Sequence, residues 1–179
     1  MKMKKIASVV AAGVMAMGIG ASLAPAGVAF ADSPYCATVE KVAPENGFFF
    51  DFAKKMPQET QWDEIDIEFL GKDTAKVQFN YYVDSQGGHE YLCDLGFDAS
   101  EDFHVYAFDW EPDAITWYVD GKEVHKAVGN LPVTPSMVMA NLWAGKGVDA
   151  WLNPVDDSDF PVQAEYKWMK YTPSEKANK

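Results

Sequence analysis

Residues 62–71 read W-D-E-I-D-I-E-F-L-G, and apolar and acidic side chains alternate through the stretch without a break. Ile65, Ile67 and Phe69 fall on one parity; Trp62, Glu64, Asp66 and Glu68 fall on the other. A period of two is the mark of a β-strand with one buried face. The chain is thereby committed to a sheet whose inner face enters a core and whose outer face carries three carboxylates beside an indole. Like charges at i, i+2 and i+4 on one face repel each other, so a strand selected for stability alone would avoid them. A solvated acidic face is the plain alternative, and Trp62 on the same face weighs against it.

The spacing suggests what the carboxylates do. Glu64 and Glu68 lie four residues apart, which places their Cα atoms roughly 13 Å apart along a strand. Two Glu arms of roughly 4 Å leaning inward bring the carboxyls to roughly 5–6 Å, the separation used by retaining glycosidases. In such sites one carboxylate attacks the sugar and the other protonates the leaving oxygen. Asp66, between them on a shorter arm, can share a proton with a neighbour and hold the three groups at different proton affinities.

The other elements follow from the same alternation. Residues 77–83 form the next predicted strand, with Val77, Phe79, Tyr81 and Val83 on one parity and Gln78, Asn80 and Tyr82 on the other. Only the short turn Gly71-Lys72-Asp73 separates it from the carboxylate strand, so the two should pair antiparallel. Asn80 and Tyr82 then face the same side as Glu64 and Glu68. Further strands are expected at 48–52, 89–96, 104–110, 115–119, 122–126, 137–143 and 162–171, with Asp120-Gly121 as a two-residue hairpin turn. Residues 33–44 read as irregular and the tail from 172 as frayed. Many short strands with Gly and Pro turns and almost no helical period indicate an all-β sandwich.

The N-terminus reads as a secretory leader rather than as fold. Lys2, Lys4 and Lys5 precede an apolar run of small residues, and Ala29-Phe30-Ala31 supplies an A-x-A cleavage site, so residues 1–31 are expected to be removed. Residues 32–179 are then one domain, secreted and without a membrane anchor. That domain keeps 12 Lys against 27 Asp and Glu, with no Arg. So acidic a surface is a poor partner for nucleic acid or anionic membranes and is indifferent to neutral polysaccharide. Cys36 and Cys93 are a candidate disulfide in an oxidising compartment, although spacing alone does not bring them together. His89, His104 and His125 show no metal-ligand spacing. The sequence contains neither a G-x-S-x-G elbow nor a glycine-rich phosphate loop.

The stretch at 62–71 resembles the active-site strand of glycoside hydrolase family 16, in the bulge-free E-I-D-I-E form of its bacterial lichenases, the endo-β-1,3-1,4-glucanases. The plant xyloglucan endotransglycosylases share that form, whereas the laminarinase branch usually carries one more residue before the last Glu. Residues 77–82, 96–99, 106–110 and 117–121, Asn141-Leu142-Trp143 and 147–151 extend the resemblance over most of 46–171. It implies a jelly-roll β-sandwich with an open groove. It also implies Glu64 as nucleophile, Asp66 as assisting acid and Glu68 as general acid/base, with Trp62, Asn80, Tyr82, Asn141, Trp143 and Trp151 lining a glucan cleft. No cofactor is implied.

This chain departs from the family before residue 46. Family members carry a longer N-terminal part that supplies edge strands and part of the cleft, and its usual disulfide lies there, so Cys36 and Cys93 cannot be that bridge. The family's calcium site uses an Asp of the last strand where this chain has Lys167, so no metal is expected. The expected function is a secreted retaining endo-β-glucanase acting on mixed-linkage glucan. Two other readings stay open: a glucan-binding protein with little or no turnover, and another family 16 activity such as laminarinase or xyloglucan transferase.

Overall fold

The computed structural model describes residues 11–12, 28–39, 62–134, 142, 147–154 and 162–170. Among them are nine strands and one short helix. The strands are β1 (Ala11–Ala12), β2 (Val28–Val39), β3 (Glu64–Glu68), β4 (Lys76–Tyr82), β5 (Tyr91–Asp94), β6 (Tyr106–Glu111), β7 (Ala114–Val119), β8 (Lys122–Ala127) and β9 (Val162–Lys170). The helix, α1, is Asp149–Leu152. The strands expected at 48–52 and 137–143 lie outside the described residues.

Three sheets result, in the orders β3-β4-β5, β1-β6-β7-β8 and β2-β9. Sequential strands pair antiparallel throughout β3–β5 and β6–β8, as short connections allow. The β7–β8 turn is Asp120-Gly121, both at positive φ (50° and 77°). That is the mirror-image turn whose twist matches the flanking strands.

The core lies between the first two sheets. Val77, Phe79, Ile115, Tyr106 and Trp117 are fully buried. Phe79 stacks on Trp117 at 5.7 Å, and Phe69 meets Tyr106 edge-on at 4.7 Å. Ile65, Ile67 and Phe69 pack against this cluster, so the inner parity of the carboxylate strand is the one its alternation specifies. Each fully buried side chain of this size contributes about 1.5–3 kcal/mol by leaving water. Anchoring the inner face in this way holds the outer, acidic face in register, because a one-residue slip would turn Glu64, Asp66 and Glu68 into the core.

Two expectations are corrected here. Residues 33–39 are not irregular: they belong to β2, which pairs antiparallel with β9 from Val28↔Lys170 to Val39↔Val162, with a register shift between Phe30 and Tyr35. Pro34 falls in that shift, where a residue without an N–H does no harm to the ladder. β1 and the first four residues of β2 come from the stretch read as leader; pairs from Tyr35↔Tyr166 onward do not depend on it. The Cys36–Cys93 bridge is not formed. Cys93 is a buried free thiol opposite Val77 in the β4–β5 ladder, whereas Cys36 lies opposite Glu165 in the β2–β9 sheet. No described helix is long and apolar enough to cross a membrane.

Candidate active site

The β3–β4 register decides which side chains share the outer face. Glu64 lies opposite Tyr82, Asp66 opposite Asn80 and Glu68 opposite Gln78. Directly opposed residues of an antiparallel pair point to the same side, so six polar side chains form two adjoining rows. Asn80 and Gln78 are buried, at 3% and 8% exposure, beneath this face. The sheet is supported from below by Trp117, whose indole N–H donates to the Asp66 carbonyl at 3.2 Å.

Burial and close spacing separate the three carboxyls electrostatically. For Asp66, burial is the largest influence, followed by the charges of Glu64 and Glu68; together they push its proton affinity well above the ordinary Asp range. Asp66 therefore keeps its proton and donates it in a hydrogen bond to Glu64. Burial also raises Glu64, and that hydrogen bond from Asp66 pulls it back toward the ionised form. Glu68 is pushed up to about 7, chiefly by burial and further by Glu64 and Glu90, against a hydrogen bond from Gln78 that draws it down. A site in which a hydrogen bond favours the ionised form of one carboxyl while burial favours the protonated form of another can deliver a nucleophile and an acid together.

The surrounding residues fix this geometry. Gln78 Nε2 donates to Glu68 Oε2 at 2.5 Å, and Gln78 Oε1 accepts from the Trp151 indole at 3.4 Å. Asn80 hydrogen-bonds the Tyr82 hydroxyl, while its own Oδ1 is buried without a partner among the described residues. Trp62, 36% exposed, lies against Tyr82 with ring centroids 4.8 Å apart, forming an open aromatic surface at the Glu64 end. Asp63 pins the start of β3: its Oδ1 accepts from the Asp84 N–H, and its Oδ2 from the N–H groups of Val133 and Thr134.

Of the residues singled out by sequence, Glu64, Asp66, Glu68, Asn80, Tyr82 and Trp62 come together on β3 and β4. Trp151 joins them from α1 by way of Gln78. Asn141 and Trp143 lie outside the described residues. The sequence reading did not single out Gln78 or Asp63. Gln78 carried a signal, since it shares the parity of Asn80 and Tyr82; Asp63 lies on the inner parity and gave none.

A family model, that of the glycosyl hydrolases family 16, matches residues 35–170. The chain belongs to family 16. A beta-glucanase of Paenibacillus polymyxa is 62% identical over 113 residues, 63% of this chain and 47% of that protein. A beta-glucanase of Bacillus subtilis is 57% identical over 113 residues, 63% and 46% of the two chains. The family 16 chain thus spans about half the length of the curated relatives it matches. Among solved structures, a Bacillus licheniformis beta-glucanase superposes with a TM-score of 0.63 at 44% identity, covering 84% of this chain and 63% of that one. A prokaryotic β-1,3-1,4-glucanase (lichenase) from a mouse hindgut metagenome gives 0.62 at 47%, covering 83% and 64%. The fold is accordingly the all-β jelly-roll sandwich of family 16, with the three carboxylates on its outer face.

Proposed function

We propose that this family 16 chain is a retaining endo-β-glucanase that cleaves β-1,4 bonds in mixed-linkage β-1,3-1,4-glucan outside the cell. The observation that carries the reading is the placing of Glu64, Asp66 and Glu68 in a row on one face of β3, opposite Tyr82, Asn80 and Gln78 of β4. Asp66, pushed well above the usual Asp range, retains its proton and favours the ionised form of Glu64 by hydrogen bonding to it, while burial pushes Glu68 up to about 7.

Two displacements follow. The Glu64 carboxylate attacks the anomeric carbon; the C–O bond to the leaving sugar breaks as Glu68 gives that oxygen its proton. A glycosyl ester on Glu64 results. Glu68, now ionised, takes a proton from water, whose oxygen attacks the same carbon and expels Glu64. Two inversions give net retention. Asp66 supports both steps by holding its proton on the nucleophile, which makes Glu64 a better leaving group in the second. The Trp62–Tyr82 surface offers an aromatic face on which a sugar ring can lie, and Asn80 Oδ1, without a partner among the described residues, offers an acceptor for a sugar hydroxyl.

The net charge of −12 is compatible with a neutral polysaccharide, and the leader-like N-terminus supports export. The deciding experiment is reducing-sugar release from mixed-linkage glucan, with laminarin and xyloglucan alongside and Glu64→Ala as control. Release from mixed-linkage glucan that disappears in the variant supports the reading. Release chiefly from laminarin or xyloglucan would replace the substrate, and binding unaffected by Glu64→Ala without any release would make the chain a glucan-binding protein.

A further inference from the structure

Gln78 links the carboxyl read as acid/base to α1. Its side chain is buried, with one end on Glu68 and the other on Trp151. A side-chain amide has two orientations related by half a turn, and its surroundings select between them. An indole N–H only donates, so the end of Gln78 that meets Trp151 must be the oxygen. The NH2 group then necessarily faces Glu68. Turning the amide over would set NH2 against the indole N–H and present oxygen to Glu68, an arrangement only a protonated carboxyl could satisfy. Trp151 is itself fixed by backbone: its N–H donates to the Val148 carbonyl at 2.9 Å, and Asn153 closes the turn on Asp149 at 2.8 Å.

We propose that Trp151 acts on the active site through Gln78, fixing the amide so that Gln78 is a permanent donor to Glu68 and thereby setting how readily Glu68 releases and regains its proton. Trp151 and Gln78 are thus positioning residues, and Trp151 has a role beyond contact with sugar. Its catalytic meaning rests on the glucanase reading; the linkage itself does not.

The groups around Glu68 explain why such a donor matters. Glu64 and Asp66 stand on its own strand, Tyr82 on β4 and Glu90 just before β5. Burial is the largest influence keeping Glu68 protonated, and the charges of Glu64 and Glu90 add to it, whereas Asp66 and Tyr82 hold their own protons. A hydrogen bond donated to the ionised form works against them. The same group must be an acid in the first displacement and a base in the second, so a donor that moderates its proton affinity serves both halves of the cycle.

The test is a carboxyl-carbon NMR titration of the full chain with labelled Glu, the Glu68 signal being assigned with Glu68→Gln. It requires neither substrate nor turnover, so its outcome is separate from that of the activity assay. Trp151→Phe removes the indole donor and is expected to move the Glu68 midpoint upward by about half to one pH unit. Gln78→Leu should move it at least as far, and the double variant should match Gln78→Leu alone, because the influence of Trp151 runs through the amide. Within the unsubstituted chain, the Trp151 indole N–H and the Gln78 amide protons should both titrate with the Glu68 midpoint, a measurement that does not depend on any variant folding. An indole signal that stays flat through that midpoint overturns the proposal. So does a Trp151→Phe shift that persists undiminished in the Gln78→Leu background.

Discussion

Glu68 holds its proton to about pH 7 because it is buried among acids. The glucanase account needs Glu68 protonated and Glu64 ionised, so kcat/KM should fall on the alkaline side with a midpoint near 7. Glu68→Gln should lower turnover on polysaccharide by about 10²–10⁴-fold, with a smaller loss on an aryl glycoside whose leaving group needs no proton. The same residue carries a stability cost with a defined sign. Its proton affinity is higher in the folded chain than the ordinary 4.5, so the folded state gives up stability as pH rises from about 4.5 to 7 and does not recover it above. Thermal denaturation should therefore find Glu68→Gln more stable than the unsubstituted chain at pH 8, by on the order of 2–3 kcal/mol, and no more stable at pH 4. Equal stability at both values would mean that Glu68 is ionised without penalty. A quieter residue is Gly87, where an added Cβ would fall 2.5 Å from Tyr82 Cε1. Gly87→Ala should push the Tyr82 ring off its contact with Trp62, raising KM for glucan several-fold while leaving the melting temperature nearly unchanged. A fall in kcat with KM intact would show that the platform does not bind the substrate.

At the scale of elements, β3 and β4 succeed together because each carries two different faces. Phe79 fills the core against Trp117, while its neighbours Gln78 and Asn80 lie under the cleft. Phe79→Ala should cost about 3–5 kcal/mol, read as a lowered denaturation midpoint, because the cavity opens in the layer that sets the register of both strands. These elements were legible in the sequence because their alternation is strict: the inner parity of Ile65, Ile67 and Phe69 and the outer parity of Glu64, Asp66 and Glu68 both stand as read. β2 was not legible, because Asp32-Ser33-Pro34 interrupts any period and pairing with β9 is a long-range event. Nor was α1, since four residues are too few to display a helical repeat. Gln78 shared a visible parity, but its use depends on Trp151, which lies 73 positions further along, a separation no local pattern reports. Asp63 was hidden for a similar reason, because its partners Asp84, Val133 and Thr134 are distant in sequence.

Over the whole molecule, family membership was readable because the resemblance recurs in several separated stretches and not in one motif. The cysteine expectation failed at this scale: a pair plausible by compartment is divided between two sheets, which only the assembled chain reveals. Charge also belongs here. With a formal net charge of −12, the protein should show a strong ionic-strength dependence toward a charged partner and almost none toward a neutral glucan. KM should therefore remain within about twofold between low salt and physiological ionic strength, where screening shortens to roughly 8 Å; a steep dependence would indicate a charged substrate. The central claim, that the outer face of β3 cleaves glucan, is tested most directly by incubating the chain with mixed-linkage β-1,3-1,4-glucan beside its Glu64→Ala variant. The account predicts reducing ends and a rapid loss of viscosity from the first and neither from the second. A folded chain that releases nothing, or a Glu64→Ala variant that releases as much, would contradict it.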